Sequence, residues 1–132
     1  RLEQDATPAE IFDHPASEFV ARFVGDVNVL DVRVQDGVAH AGALSIPLPA
    51  GREVMPSRVV IRSHDLVFAR SDDGVAVVRR LIPLGDRVRV EASVDGGVQI
   101  FAHVPRRTRA LDDLAPGSRV SVKVAQARAY AD

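Results

Sequence analysis

The stretch Arg87-Val88-Arg89-Val90-Glu91-Ala92-Ser93-Val94-Asp95-Gly96-Gly97-Val98-Gln99-Ile100-Phe101-Ala102-His103-Val104 decides the fold. Val88, Val90, Ala92 and Val94 alternate with Arg87, Arg89, Glu91 and Ser93. After Asp95-Gly96-Gly97 the alternation resumes on Val98, Ile100, Ala102 and Val104. A period of two marks strands with one face inward, and the acid-glycine pair between them marks a hairpin turn. Working outward, Val120, Val122 and Val124 repeat the pattern, and Val75 to Leu84 is a long β-rich run. Arg58 to Ser63 holds Val59-Val60-Ile61, and Asn28 to Gln35 alternates around Val32 and Val34. Asp36-Gly37 and Asp73-Gly74 are further turn signals. Pro47 and Pro49 restrict the stretch near Leu44 to Leu48 to an edge or a loop. Residues 108–114 suit one helical turn before Pro116-Gly117. No stretch predicts a helix long enough for parallel crossovers. About eight or nine short strands predict a small barrel or a pair of barrel-like lobes. Residues 26–132 therefore read as an all-β domain of oligonucleotide/oligosaccharide-binding (OB) type, with two β-rich halves that suggest an internal duplication.

The first 25 residues follow another rule. Thr7 can cap a helix, Pro8 suits its first turn, and Glu10 completes a capping box. His14-Pro15 stops that helix and starts a second. Phe19, Val20, Phe23 and Val24 form an apolar stripe at helical spacing, and Gly25 ends it. The expectation is two short helices ahead of the β domain.

The chain has 132 residues and a formal net charge of −1, which allows one domain with a real core. It has no cysteine, so disulfides and thiolate metal sites are excluded. No apolar run reaches the length of a membrane-spanning helix, and no signal peptide is visible at Arg1. A soluble chain is expected, and docking on a membrane protein requires no spanning segment. Lys123, the only lysine, stands on a predicted strand with no glycine-rich turn before it. A phosphate-binding loop needs that turn, so ATP hydrolysis by this chain is not expected.

Other chemistry is equally sparse. Ser63-His64-Asp65 has the residue types of a nucleophilic triad. Consecutive strand side chains point to opposite faces, so a relay among the three is not expected; the predicted structure is a strand end entering a polar turn. His14, His40, His64 and His103 lack the paired spacing of metal ligands, and Asp72-Asp73 and Asp112-Asp113 suit turns; no metal site is predicted. OB folds often bind single-stranded nucleic acid, which needs a basic groove and stacking aromatics. Phe12, Phe19 and Phe23 belong to the N-terminal segment, too few aromatics remain, and the charge is near neutral, so nucleic acid is not an expected partner.

Residues 2–30, with Thr7-Pro8-Ala9-Glu10-Ile11-Phe12, Pro15, Phe19-Val20-Ala21-Arg22-Phe23-Val24-Gly25 and Asn28 to Leu30, closely resemble the end of the ATP-binding subunit of bacterial ABC importers. Ala6 stands where glycine is usual in the turn before Thr7. Val60-Ile61-Arg62-Ser63-His64-Asp65 resembles a motif of the C-terminal TOBE-type regulatory domains of such subunits, with Ser63 in place of the usual proline. Val78 to Asp86, with Leu84-Gly85, and Leu114-Ala115-Pro116-Gly117-Ser118-Arg119-Val120-Ser121-Val122 extend the likeness. The Leu-Gly segment and the arginine-rich strand after it are most similar to the sulfate/thiosulfate branch.

The resemblance implies that residues 1–25 end an upstream ATPase domain and that residues 26–132 form a non-catalytic regulatory and dimerisation domain. It implies a parent subunit that uses ATP and Mg, pairs with a second copy, contacts transmembrane permease subunits, and works on the cytoplasmic side of the inner membrane. Phe12, Phe19 and Phe23 are then expected in interdomain or interface packing. Some TOBE-type domains bind oxyanions, so Arg62, Arg80, Arg87 and Arg89 are candidates for an oxyanion site, guanidinium forks being suited to such ligands; a solvated strand face beside Glu91 is the competing reading. Arg106, Arg107 and Arg109 suit a loop or a partner contact. A free-standing oxyanion-binding module is the alternative function, but it has no use for the N-terminal helices.

Overall fold

The computed structural model describes residues 7–50 and 55–131. Strands β1 (Glu10–Phe12), β2 (Val27–Asp31), β3 (Arg33–Gln35), β4 (Val38–Ala41), β5 (Leu44–Pro47) and β6 (Arg58–Arg62) precede β7 (Leu66–Arg70), β8 (Ala76–Leu84), β9 (Arg87–Val94), β10 (Val98–Pro105), β11 (Arg119–Val124) and β12 (Arg128–Tyr130). One helix, α1 (Ser17–Arg22), lies between β1 and β2, and 3-10 turns occupy Ser63–Asp65 and Arg109–Asp113.

Three sheets result. The largest is antiparallel, in the order β10-β9-β8-β11-β7, and its edge strands β10 and β7 approach each other, curling it toward a barrel. The second has the order β1-β12-β6-β2, with β1 and β12 parallel. The third is the meander β3-β4-β5. One hydrophobic core draws on all three, with Val78, Val90, Ala92 and Val120 from the first, Val59, Ile61 and Ala129 from the second, and Ala39 and Ile46 from the third. The mainly β, OB-like expectation holds.

The turns follow their sequence signals. Asp36 and Gly37 both have positive φ, 53° and 76°, as a tight β3–β4 hairpin demands. Asp95-Gly96-Gly97 joins β9 to β10 and abuts the β4–β5 turn, where Ala43 N–H donates to the Asp95 carbonyl at 2.8 Å. A Cβ on Gly96 would stand 2.9 Å from Gly42 Cα, so the two turns meet only because both residues are glycine. Asp73-Gly74 is different: β7 and β8 are not neighbours but flank β11, and this turn crosses its end. Leu44–Pro47 is an edge strand, as its prolines require.

The N-terminal segment departs from expectation. Where a first helix was expected from Thr7, the chain is extended and Glu10–Phe12 pairs with Arg128–Tyr130. The N–H groups that a capping box would leave near Thr7 are taken by distant carbonyls: Thr7 bonds Val124 at 3.1 Å, Ala9 bonds Pro47 at 3.0 Å and Glu10 bonds Ala127 at 3.0 Å. Three long-range partners outweigh a local helix signal, because so short an isolated helix is marginal. Only the second expected helix forms, as α1. The turn expected at Ala6 lies outside the described residues.

Candidate functional site

Two polar constructions interrupt the apolar packing. The first is a seam between the first and second sheets. Asn28, on β2, occupies a buried position between Val27 and Val29. Its amide donates to the Ile61 carbonyl at 3.1 Å and the Phe101 carbonyl at 3.0 Å, and its oxygen accepts from Phe101 N–H at 2.8 Å. One side chain thereby ties β2, β6 and β10 together. Beside it, Ser63 donates its hydroxyl proton to Asp26. His103 Nδ1 lies 2.9 Å from Ser63 Oγ and 3.1 Å from Asp26 Oδ1. Because the hydroxyl proton is committed to the carboxylate, Nδ1 is the protonated ring nitrogen, shared between the two oxygens. Arg62 closes the group at 3.7 Å from Asp26.

Burial works to raise the Asp26 carboxyl, but hydrogen bonds from Ser63 and His103, with the pull of His103 and Arg62, outweigh it and hold it below the usual value. Serine, histidine and aspartate thus do assemble, from residues 63, 103 and 26 rather than from 63 to 65. The order is wrong for a nucleophile, since the hydroxyl proton goes to the acid, and Ser63 is 0% exposed. The group is a clamp between sheets.

The expected arginine set divides. Arg80 reaches Glu91 at 2.8 Å and Arg89 reaches it at 2.7 Å. A bulge between Val78 and Arg80 sets Arg80 opposite Glu91. Hydrogen bonds from Arg89 and Arg80 hold the Glu91 carboxyl below its usual value. Arg89 also covers the Phe101 ring at 3.8 Å. Arg87 is exposed beside the turn into β9. Arg62 faces a different carboxylate on another sheet and covers the Phe23 ring at 4.0 Å.

The second construction is an arginine–aromatic corner between α1, β6 and β12. Phe12 stacks on Tyr130 with centroids 5.2 Å apart, and Phe19 meets Phe23 at 4.8 Å. The Arg128 guanidinium lies 4.1 Å from the centre of Phe12 and 4.2 Å from that of Phe19. Phe12 and Phe19 pack on a small cluster of Ala16, Val60 and Tyr130. The aromatic residues singled out in the sequence therefore rest on the β domain itself. Arg128, Tyr130, Asp26, Asn28 and His103 escaped sequence reasoning. The available signal was a polar residue in the inward phase of a strand, as at Asn28. Among the described residues, no helix is long and apolar enough to cross a membrane.

A curled five-stranded sheet, closed against a second sheet by a polar seam, defines a small OB-like β domain. More narrowly, the chain belongs to the TOBE domain family, whose model matches residues 59–131. It is similar to proteins named sulfate/thiosulfate import ATP-binding protein CysA. That of Burkholderia mallei is 40% identical over 121 residues, covering 85% of this chain and 34% of the relative. That of Synechococcus elongatus is 36% identical over 134 residues, covering 98% of this chain and 36% of the relative. That of Thermosynechococcus vestitus is 32% identical over 137 residues, with 98% and 36% covered. The chain thus spans just over a third of the length of these relatives.

Proposed function

We infer that this chain is the regulatory, non-catalytic C-terminal domain of the ATP-binding subunit of a bacterial ABC importer for sulfate or thiosulfate. The observation that carries the reading is the extent of the match: 98% of this chain aligns with 36% of a sulfate/thiosulfate import ATP-binding protein. The packing of α1 and β1 on the second sheet supports it, because a connection from an upstream domain needs a firm seat on the domain that it enters. ATP and Mg would be handled by the upstream part of the subunit. Two copies would pair, and the upstream domains would engage transmembrane permease subunits at the cytoplasmic face of the membrane.

The test is genetic and biochemical. A strain lacking its sulfate import ATPase is supplied with the full-length subunit, or with one cut after residue 25. Radiolabelled sulfate uptake is measured as external sulfate is varied. The expected result is uptake by both, or by the full-length subunit alone, with response to sulfate supply lost on removal of residues 26–132. Full-length subunit that restores no sulfate or thiosulfate uptake overturns the substrate, and an unchanged response without the domain overturns the regulatory role.

A further inference from the structure

We propose that the cleft where β7 and β10 meet is a binding site for a small neutral alcohol or phenol, which donates its hydroxyl proton to Nε2 of His103 and rests its apolar body on leucine, valine and phenylalanine side chains. The cleft has a topological origin. β7 and β10 are the two edges of the five-stranded sheet and share no ladder, so the curled sheet is closed there by side chains instead of hydrogen bonds. The 3-10 turn at Arg109–Asp113 packs against β7 beside the gap. What remains is a cleft of about 180 Å³, lined by Leu66 and Phe68 of β7, Val104 of β10, and Leu111 and Leu114 of the turn and its exit. An apolar cavity of about 150 Å³ is enough to hold benzene. A single ring or a short branched chain therefore fits.

His103 also lines the cleft, and its side chain is only 6% exposed. Nδ1 is turned toward Ser63 and Asp26. Neither of those residues lines the cleft, so the far edge of the ring borders it. That edge carries Nε2, which is buried with no hydrogen-bond partner among the described residues. In the neutral ring, the proton on Nδ1 leaves a lone pair on Nε2. The clamp thus joins the sheets and also fixes the tautomer that offers an acceptor to the cleft. A buried acceptor without a partner is costly, and a ligand hydroxyl relieves that cost. Water is a poor substitute, because a buried water needs about 2–4 polar partners and walls of carbon do not supply them.

The ligand class follows from the lining. No aspartate, glutamate, lysine or arginine among the described residues lines the cleft, so a charged ligand would lose its hydration without gaining a counter-ion. An ether or ester brings only acceptors, which face the Nε2 lone pair unfavourably. A hydroxyl on an apolar body matches both the walls and the one acceptor. The site depends on the fold alone and makes no use of the importer reading.

The experiment titrates the isotope-labelled chain with phenol and, separately, with anisole, the methyl ether that keeps the ring but has no proton to donate. Saturable amide shifts over residues 64–68, 103–105 and 108–114 are expected with phenol. Anisole should bind about fivefold or more weakly, the effect of one lost hydrogen bond. The ring nitrogens of His103 give a direct reading: Nε2 should resonate as an unprotonated nitrogen and move upfield as phenol binds, as an acceptor does. Ala110 lines the cleft from a partly exposed position. Ala110→Phe should keep the parent's melting midpoint and weaken phenol about tenfold or more, because its ring takes up the space. Arg107→Ala, on the exposed loop after β10 and outside the cleft, should bind like the parent. The proposal is overturned if phenol gives no saturable shifts in the cleft, if anisole binds as tightly as phenol, or if folded Ala110→Phe binds as the parent does. The comparison of phenol with anisole uses the unaltered chain, so it decides even where Ala110→Phe unsettles the turn.

Discussion

Asn28 holds three strands from two sheets through a single amide, so its replacement by an apolar residue is unusually informative. Asn28→Leu keeps the volume but strands both backbone polar groups of Phe101. Buried groups left unsatisfied cost about 1–3 kcal/mol each, and a net loss of roughly 3 kcal/mol is expected. Thermal melting should show this as a fall of roughly 10 °C. The Asp26 clamp makes a different prediction, in pH. Its folded pKa lies below the ordinary value, so the stability it contributes is present above the unfolded pKa, about 4, and lost as pH falls through the folded value. Asp26→Asn should therefore be less stable than the parent at neutral pH, and the gap should close in acid. Urea unfolding across that range checks it; a gap that is constant with pH contradicts the clamp. None of this was legible locally. Residues 26, 63 and 103 are brought together only by the meeting of two sheets, and no spacing along the chain records it.

Elements were legible where one periodicity acted alone. The β9–β10 hairpin, with strict alternation and an acid-glycine turn, is found where its pattern places it. The segment from Thr7 to Phe12 is the counter-example. Its residues suit a helix start, yet its three-residue strand is fixed by β12, which lies more than a hundred residues away in sequence. Helix α1 has six residues and no side-chain cap, so it depends on packing rather than on its own propensity. Phe19 is half-buried rather than fully enclosed, so Phe19→Ala should cost roughly 1–2 kcal/mol, less than for a core phenylalanine. Circular dichroism and thermal melting test this; an unchanged midpoint contradicts the packing of α1. The Asp73-Gly74 turn offers a sharper test. A Cβ at Gly74 would overlap the Val120 carbonyl on β11, so Gly74→Ala must displace the β7–β8 connection or the strand it crosses. A loss of about 2 kcal/mol or more is expected, whereas alanine at Gly85, where a Cβ meets nothing within 4 Å, should cost only the strain of its positive φ.

For the whole molecule, the β character was legible because alternation recurs along most of the chain. The division into three sheets around one core was not, because strand order depends on which edges meet. The assignment to an importer subunit carries expectations of its own. The chain should not turn over ATP, and steady-state phosphate release from the pure chain, abolished by a point mutation within it, would count against that. Self-association is expected as well, with Val24, 76% exposed beside Phe23, as an apolar surface open to a partner. Sedimentation equilibrium over a wide concentration range decides this, and a strict monomer at millimolar concentration removes self-association from the reading.

The parallel pairing of β1 with β12 has a mechanical consequence. Tension applied before Glu10 and after Tyr130 would act on opposite ends of two strands that run the same way. Their ladder would be loaded in shear, all bonds sharing the strain, instead of opening one at a time like a zipper. A pull arriving at Thr7 would therefore be passed into the second sheet as a rigid displacement before that contact yielded. Single-molecule stretching between residues 7 and 131 should meet a resistance that falls when Glu10, whose N–H donates to the Ala127 carbonyl at 3.0 Å, is replaced by proline.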